Sequence, residues 1–298
     1  MLALLLAHLA GLTAAVGRTP MTGPNSIQDD KAPSSAAASG DSYEKLWLEA
    51  KALFHDKKYQ ESLKVLERCV AFNKQDPELY KLIASDAILV NRMDIAEKAL
   101  NTALRLAPDD HQVLFNLGAL YYTDSRFPQA LPMLEKSVKL DPDYIPARLF
   151  LGLTEEELAQ EDSAIATYLK AIELAERSGF RGEQPYLYLG RLFYRENKLN
   201  ESLPYLQKAV RANPQSCEGL CLLARVQSVQ GREDQAVETL SQCLRADSGY
   251  PEAHYLLSRA YLNQGRPGDA AKELALFQEL KKTEQNKKDP RKNQRAIP

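Results

Sequence analysis

Few side chains in this 298-residue sequence have the types and spacing that catalysis or metal binding requires. The histidines lie far apart, at His8, His55, His111 and His254. No two of them have the i, i+4 spacing with which one helix presents two imidazoles to zinc, and no glycine-rich phosphate loop is present. Cys217 and Cys221 are four residues apart, which alone is weak evidence for a metal site. We therefore expect no enzyme activity, no cofactor and no metal.

The remaining candidate chemical groups have simpler structural interpretations. The acidic run at 155–157 is expected to be a solvated helix face, because consecutive helical residues do not converge on one substrate. Cys69 and Cys243 occupy a repeat position that alanine fills elsewhere, so we expect them to fill the core. A Cys217–Cys243 disulfide is the alternative if the chain is exported.

The composition excludes several classes of protein. Hydrophobic residues make up 44% of the chain and charged residues 26%, which is ordinary for a soluble globular protein. A mainly disordered chain or one with many membrane spans is therefore excluded. The formal net charge of −2 gives no reason to expect a nucleic-acid partner.

Both ends of the chain differ in composition from the middle. Residues 1–17 are almost wholly apolar but shorter than the roughly 20 residues that span a bilayer, so we expect a signal peptide or a short N-terminal anchor. Residues 18–42 are predicted to be a flexible linker and residues 285–298 a basic disordered tail. We therefore expect an exported protein of the periplasm or cell envelope. A cytoplasmic location is the alternative, if the leader is not a signal.

The middle of the chain is a repeat. Small or apolar residues recur every 34 residues, with one interval of 38. One series is Ala50, Ala84, Gly118, Gly152, Gly190, Ala224 and Ser258. A second is Ser62, Ala96, Ala130, Ala164, Ser202, Ala236 and Ala270. A third is Leu66, Leu100, Leu134, Tyr168, Leu206, Leu240 and Leu274. Each interval holds two apolar stripes at helical spacing with a polar turn between them, which predicts two antiparallel helices in close contact.

These residues resemble the tetratricopeptide repeat family, a 34-residue helix–turn–helix repeat. The third unit matches best, at Leu117, Gly118, Tyr121, Ala130 and Pro142. The resemblance implies an all-α, right-handed superhelical solenoid of antiparallel helix hairpins. Its seven units are 43–76, 77–110, 111–144, 145–178, 183–216, 217–250 and 251–284.

Two departures from the repeat carry predictions of their own. Glu49 stands where the family has leucine, which indicates that the first unit lies at an edge. The four-residue insertion 179–182 is expected to loosen or redirect the stack between units four and five.

In this family the first helix of each hairpin lines a concave groove in which partners bind. The resemblance predicts a groove formed by Phe115, Asn116, Tyr122, Phe150, Tyr188, Arg191, Tyr194, Arg195, Arg225, Tyr255 and Arg259. Internal packing is the alternative for the aromatic members, and salt bridges to Glu218 and Glu252 are the alternative for the arginines. Arg191, Arg225 and Arg259 share one repeat position, and their guanidinium groups suit a ligand carboxylate.

We therefore expect a non-catalytic scaffold that binds a peptide or a partner helix, with an acidic ligand favoured, during assembly of a cell-envelope complex. The alternative is a regulatory or accessory subunit of an enzyme encoded elsewhere. Membrane contact is expected only through the N-terminal segment or the basic tail. Self-association through the C-terminal helix is open, because Leu276 and Leu280 lie on it.

Overall fold

A computed structural model describes residues 42–288, which are all-α, as the repeat predicts. The predicted leader, the linker up to residue 41 and the tail beyond residue 288 lie outside the described residues. The helices are α1 (Tyr43–His55), α2 (Tyr59–Phe72), α3 (Pro77–Leu89), α4 (Met93–Leu106), α5 (His111–Thr123), α6 (Phe127–Leu140), α7 (Ile145–Glu157), α8 (Glu161–Ser178), α9 (Gln184–Arg195), α10 (Leu199–Ala212), α11 (Cys217–Val229), α12 (Glu233–Ala246), α13 (Pro251–Asn263) and α14 (Pro267–Lys288).

Short polar side chains begin several of the first helices. Asp76 Oδ1 accepts a hydrogen bond from the Glu78 amide at 2.9 Å, which satisfies one of the amides that a helix start leaves without a partner. Asp110 does the same for two amides of α5, and Ser216 for one of α11. The prolines that open α3 and α13 fit there because the first helical residue needs no amide donor.

The turn before each second helix places one residue in the left-handed backbone region. These residues, with φ between 55° and 73°, are Lys57, Asn91, Ser125, Ala159, Asn197, Gly231 and Gly265. The first five carry side chains at positive φ, which costs about 1–2 kcal/mol for most residues and less for asparagine. The repeat therefore imposes the turn geometry even where the local residue disfavours it.

The small-residue series brings the two helices of a hairpin together. A Cβ on Gly118 would lie 2.5 Å from Leu134 Cγ, and one on Gly190 would lie 2.7 Å from Leu206 Cδ2, so larger side chains do not fit. Ser202 is fully buried, and its hydroxyl donates to the Gly190 carbonyl at 2.7 Å. Serine is thus tolerated in the series because a backbone carbonyl of the facing helix accepts a hydrogen bond from its hydroxyl.

The chain divides into two compact units between Ala159 and Gln160. Helices α1–α7 belong to the first unit and α8–α14 to the second. The division falls inside the predicted fourth repeat, about 20 residues before the insertion at 179–182. That insertion forms a loop after α8, which ends at Gly179 in the left-handed conformation. The expected effect of the insertion on the stack between units four and five stays a prediction.

Candidate partner-binding surfaces

In the first unit, the predicted groove aromatics pack mostly against one another. Phe115 and Phe150 are 1% and 2% exposed, with their rings edge-to-face at 5.6 Å. Tyr122 meets Phe150 at the same distance and stays half-buried. Asn116 is buried as well, and its Oδ1 has no hydrogen-bond partner among residues 42–288. For Phe115 and Phe150 the structure supports internal packing, the alternative left open by the sequence, and Asn116 is buried beside them.

Tyr122 is the groove residue of the first unit that retains contact with solvent. It lines an open pocket of about 750 Å³ together with Phe127 and Arg126. The Arg126 guanidinium contacts both carboxylate oxygens of Glu97, at 2.8 and 3.0 Å. This pairing lowers the pKa of Glu97, so the pocket wall already contains a matched charge pair. The pocket is also lined by Asp94, Asp124 and Glu157, so a ligand there would meet net negative charge.

In the second unit, the arginines at the shared repeat position alternate with glutamates of the following hairpin. Arg225 Nη2 lies 2.7 Å from Glu252 Oε1, and Arg191 Nη1 lies 4.0 Å from Glu218 Oε1. Burial lowers the pKa of Arg225, but Glu252 outweighs burial and the net pKa is raised. Both salt bridges therefore form as the sequence alternative proposed, and the bridge of Arg191 is the looser one.

Arg259, the third arginine of the series, differs from the other two. It is exposed and has no ion pair among residues 42–288. Tyr255, one helical turn earlier, is 37% exposed, whereas Tyr188 is only 4% exposed beneath the Arg191 guanidinium. Tyr194 is half-buried, and Arg195 is exposed. The exposed members of the predicted set are thus Arg195 on α9 and Tyr255 and Arg259 on α13.

The first unit contains a buried carboxylate that was not predicted from the sequence. Asp86 is 0% exposed, and neither carboxylate oxygen has a well-formed hydrogen bond within residues 42–288. Burial raises its pKa to about 7, and the neighbouring Ser62 hydroxyl opposes only part of this effect. The signal was visible in the repeat, because the equivalent residues Leu120 and Leu192 are apolar.

The acidic run on α7 corrects another expectation. Glu155 and Glu156 are 7% and 6% exposed, so a solvated face is wrong for both, although Glu157 is exposed. Both residues lie in the last turn of α7. Helical spacing alone did not reveal their burial.

A histidine–glutamate pair connects the two helices of the last hairpin. His254 Nδ1 lies 2.6 Å from Glu273 Oε2, and its Nε2 lies 3.0 Å from the Ser248 carbonyl. Glu273 lies on α14 and Ser248 in the turn before α13, so the imidazole connects these two segments. The side chain is buried, which makes this contact structural rather than a surface for ligands.

Cys217 and Cys243 form a disulfide between α11 and α12, with their Cα atoms 4.8 Å apart. Core packing without a bond, the first expectation for Cys243, is therefore wrong, and the disulfide alternative holds. Cys69 and Cys221 are buried free thiols whose pKa burial raises to about 11 and about 12. Because both thiols are buried, neither is placed to react readily with dissolved reagents.

Residues 42–288 contain no cluster of three or more histidine, cysteine or acidic side chains able to hold a metal ion. Over the same residues, no helix combines the length and apolar composition needed to cross a bilayer.

Profiles described as tetratricopeptide repeat match residues 82–145, 145–178 with 184–216, and 230–282. Together these matches cover more than half of the chain. Anaphase-promoting complex subunit 7 of Arabidopsis thaliana is 31% identical over 143 residues, which are 47% of this chain and 25% of that protein. The chain spans between 18% and 35% of the length of the first curated relatives that it matches.

Two solved structures share the fold at low sequence identity. A tetratricopeptide repeat protein from Parabacteroides merdae has a TM-score of 0.64 and 16% identity, over 81% of this chain and 94% of that one. PilW, a type IV pilus biogenesis factor, has a TM-score of 0.61 and 18% identity, over 71% and 96%. The periodic small residues, the paired helices and the profile matches agree, and the chain belongs to the tetratricopeptide repeat family, whose members are generally non-catalytic scaffolds for protein–protein interaction.

Proposed function

We propose that this chain is a non-catalytic scaffold that binds an acidic peptide or partner helix along α9, α11 and α13. These are the first helices of the last three hairpins. A ligand that runs across them meets the arginines and tyrosines of the second unit in succession. Because hairpins hold the helices in place, little ordering of the protein is needed on binding.

The exposed Arg259 and Tyr255 on α13 are the observation that carries this proposal. An arginine fork and an aromatic ring on one helix face are the side chains most enriched at binding hot spots. Arg191, whose Nη1 lies 4.0 Å from Glu218 Oε1, continues the row of arginines onto α9. Arg225 forms a 2.7 Å salt bridge with Glu252, which connects α11 to α13.

The test is selection of peptides from a random library on the immobilised full-length chain. We expect enrichment of Asp and Glu, and a fall of at least tenfold in affinity when Arg191, Arg225 and Arg259 are all changed to Gln. The loss of charge-assisted hydrogen bonds worth about 1.5–3 kcal/mol each sets that scale.

A matched control removes the same charge from the second helices. Arg211, Arg245 and Lys272 are exposed on α10, α12 and α14, and their joint change to Gln should leave affinity within twofold. Equal losses in the two triple variants would mean that net charge alone attracts the peptides. Selection of sequences without acidic residues would contradict the proposal.

We further propose that the chain works in the cell envelope, in assembly of a multi-protein complex. The Cys217–Cys243 disulfide supports this, because disulfides persist in oxidising compartments and are rare in the cytosol. Thiol titration of the denatured, unreduced protein from fractionated cells should find two thiols, Cys69 and Cys221. Four thiols would favour the cytoplasmic alternative.

The second candidate function is that of an accessory subunit for an enzyme encoded elsewhere. The Arabidopsis relative is named as a subunit of a complex, and either role uses the same surface. Recovery of one stoichiometric enzyme with the tagged chain would favour this candidate. Contact of the basic tail with anionic lipid and self-association through α14 remain predictions.

A further inference from the structure

We propose that the outer face of the last hairpin binds a helix of a partner protein whose first turn carries an acidic residue. The partner helix would occupy the place of an eighth first helix. We call this surface the terminal face and define it by Tyr255, Leu262, Leu274 and Phe277. The terminal face shares Tyr255 and Arg259 on α13 with the proposed groove, whereas Leu262, Leu274 and Phe277 lie outside the groove set.

Comparison with equivalent residues shows that no helix within residues 42–288 covers the terminal face. Leu274 is 38% exposed. Its equivalents are at most 1% exposed, and they are Leu66, Leu100, Leu134, Tyr168, Leu206 and Leu240. Tyr255 is 37% exposed, whereas Phe115, Leu149, Leu187 and Cys221 are between 1% and 3% exposed. Leu262 is 57% exposed. Apolar positions that earlier hairpins bury thus remain open in the seventh.

The terminal face has room for a side chain as well as a flat apolar area. An open pocket of about 530 Å³ lies between α13 and α14, lined by Tyr250, Tyr255, Phe277 and Leu280. Glu252, Lys281 and Glu284 lie at its polar edge, and Arg259 lies outside the pocket lining. An apolar floor with a polar rim is the usual anatomy of a protein–protein interface.

Charge identifies the chemistry of the occupant. Arg191 and Arg225 each contact a glutamate 27 residues later, and that glutamate is the second residue of the following first helix. For Arg259 the equivalent position is Asn286, within the extension of α14. Arg259 has no acidic partner among the described residues. A docking helix with Glu or Asp in its first turn supplies the missing charge, which a helix N-terminus also favours.

A second copy of this chain fits the terminal face poorly. Its N-terminal face would present Lys45 and Glu49, which are exposed there, whereas the equivalents Val113 and Leu117 are buried. Head-to-tail stacking would bury both charges against apolar side chains, which is costly. Symmetric pairing of two terminal faces would bring two copies of Arg259 together.

The chain's own C-terminal segment is also a poor occupant. Residues 289–298 carry Arg291, Lys292 and Arg295 against the single acid Asp289, so their charge has the same sign as that of Arg259. Of the remaining sources, a partner helix with an acidic start matches both the apolar area and the charge.

The probe for this proposal is a hydrocarbon-stapled, fluorescein-labelled peptide with the sequence of residues 251–264. In the chain this helix covers the sixth hairpin and pairs Glu252 with Arg225 at 2.7 Å. We expect saturable binding of the peptide to the full-length chain, measured by fluorescence anisotropy. Leu274→Asp should weaken it at least tenfold, since it places an unpaired charge in the interface. Arg259→Gln should weaken it about two- to fivefold, the range of an exposed ion pair.

Matched variants locate the site. A peptide with Glu252→Gln should lose the same factor as Arg259→Gln, with no further loss when the two are combined. Leu48→Asp, at an exposed leucine of α1, should leave binding unchanged. Tyr255→Ser serves as a second face variant if Leu274→Asp unfolds the last hairpin by circular dichroism. Leu274 lies outside the groove set, so its result is independent of the groove proposal.

Four outcomes would overturn the proposal. They are absence of saturable binding, equal binding to the wild-type and Leu274→Asp chains, a wild-type dimer that Leu274→Asp dissociates, and tenfold tighter binding after deletion of residues 289–298. The third would identify a second copy as the occupant, and the fourth the chain's own tail.

Discussion

The buried Asp86 predicts that this chain becomes more stable when one acidic side chain is removed. We choose Asp86→Thr, because threonine has a similar size and occupies the equivalent place in α7. There, Thr154 is fully buried and donates its hydroxyl proton to the Phe150 carbonyl at 2.7 Å. The hydroxyl of a threonine at position 86 can donate the same kind of hydrogen bond to a backbone carbonyl of its own helix, α3.

The magnitude follows from the pKa of Asp86, which burial raises from 3.8 to about 7. Each unit corresponds to about 1.4 kcal/mol, so the ionised carboxylate costs the folded state up to about 4 kcal/mol, and we expect a gain of about 2–4 kcal/mol in the variant at pH 8. Below pH 4 the carboxyl is protonated in both states and the cost vanishes. As pH rises from 4 to 7 the unfolded state releases its proton first, so wild-type stability falls and the gain grows.

Urea unfolding followed by tryptophan fluorescence measures this directly. The single tryptophan, Trp47, lies on α1 and packs against the core of the same unit. The matched control is Glu67→Gln, an exposed acid on α2, which should shift stability by less than about 0.5 kcal/mol at every pH. A variant no more stable than wild type at pH 8, or a gain that does not change with pH, would refute a buried ionisable Asp86.

Four further variants test the disulfide, the helix packing and the turn geometry of the repeat by urea unfolding. Replacing Cys217 and Cys243 by Ala should cost the second unit about 3 kcal/mol, because the bond closes a separation of 26 residues in the unfolded chain, and reductant should then have no further effect. Gly190→Val should cost about 2–3 kcal/mol, because a Cβ there would lie 3.2 Å from a backbone nitrogen of the facing helix, and a smaller loss would mean that α10 moves away. Lys57→Gly should gain about 0.5–1 kcal/mol at its positive φ, whereas Gly265→Ala should lose a similar amount; matching signs would contradict the backbone explanation.

The repeat period was enough to predict the helices and their pairing. The series through Gly118 and Gly190 marks close helix contacts, because only small residues fit where the facing leucine lies within about 3 Å of a Cβ. The exposure of Glu49 also follows from its place in the period, since α1 is the first helix among the described residues 42–288.

The groove could be predicted only in part. Periodicity identifies the side of α5 and α7 on which Phe115 and Phe150 lie, but their burial depends on how neighbouring hairpins pack. The same limit applies to Glu155 and Glu156. The division after Ala159 carries no sequence signal comparable to the insertion at 179–182, and the disulfide required the spatial proximity of Cys217 and Cys243.

The most direct test of the central claim is hydrogen–deuterium exchange of the full-length chain with and without a saturating peptide selected from the library. Binding along the first helices of the last three hairpins predicts protection in residues 184–195, 217–229 and 251–263, with little change in α10 and α12. Protection confined to α10 and α12, or none at saturation, would contradict recognition by this wall of the second unit.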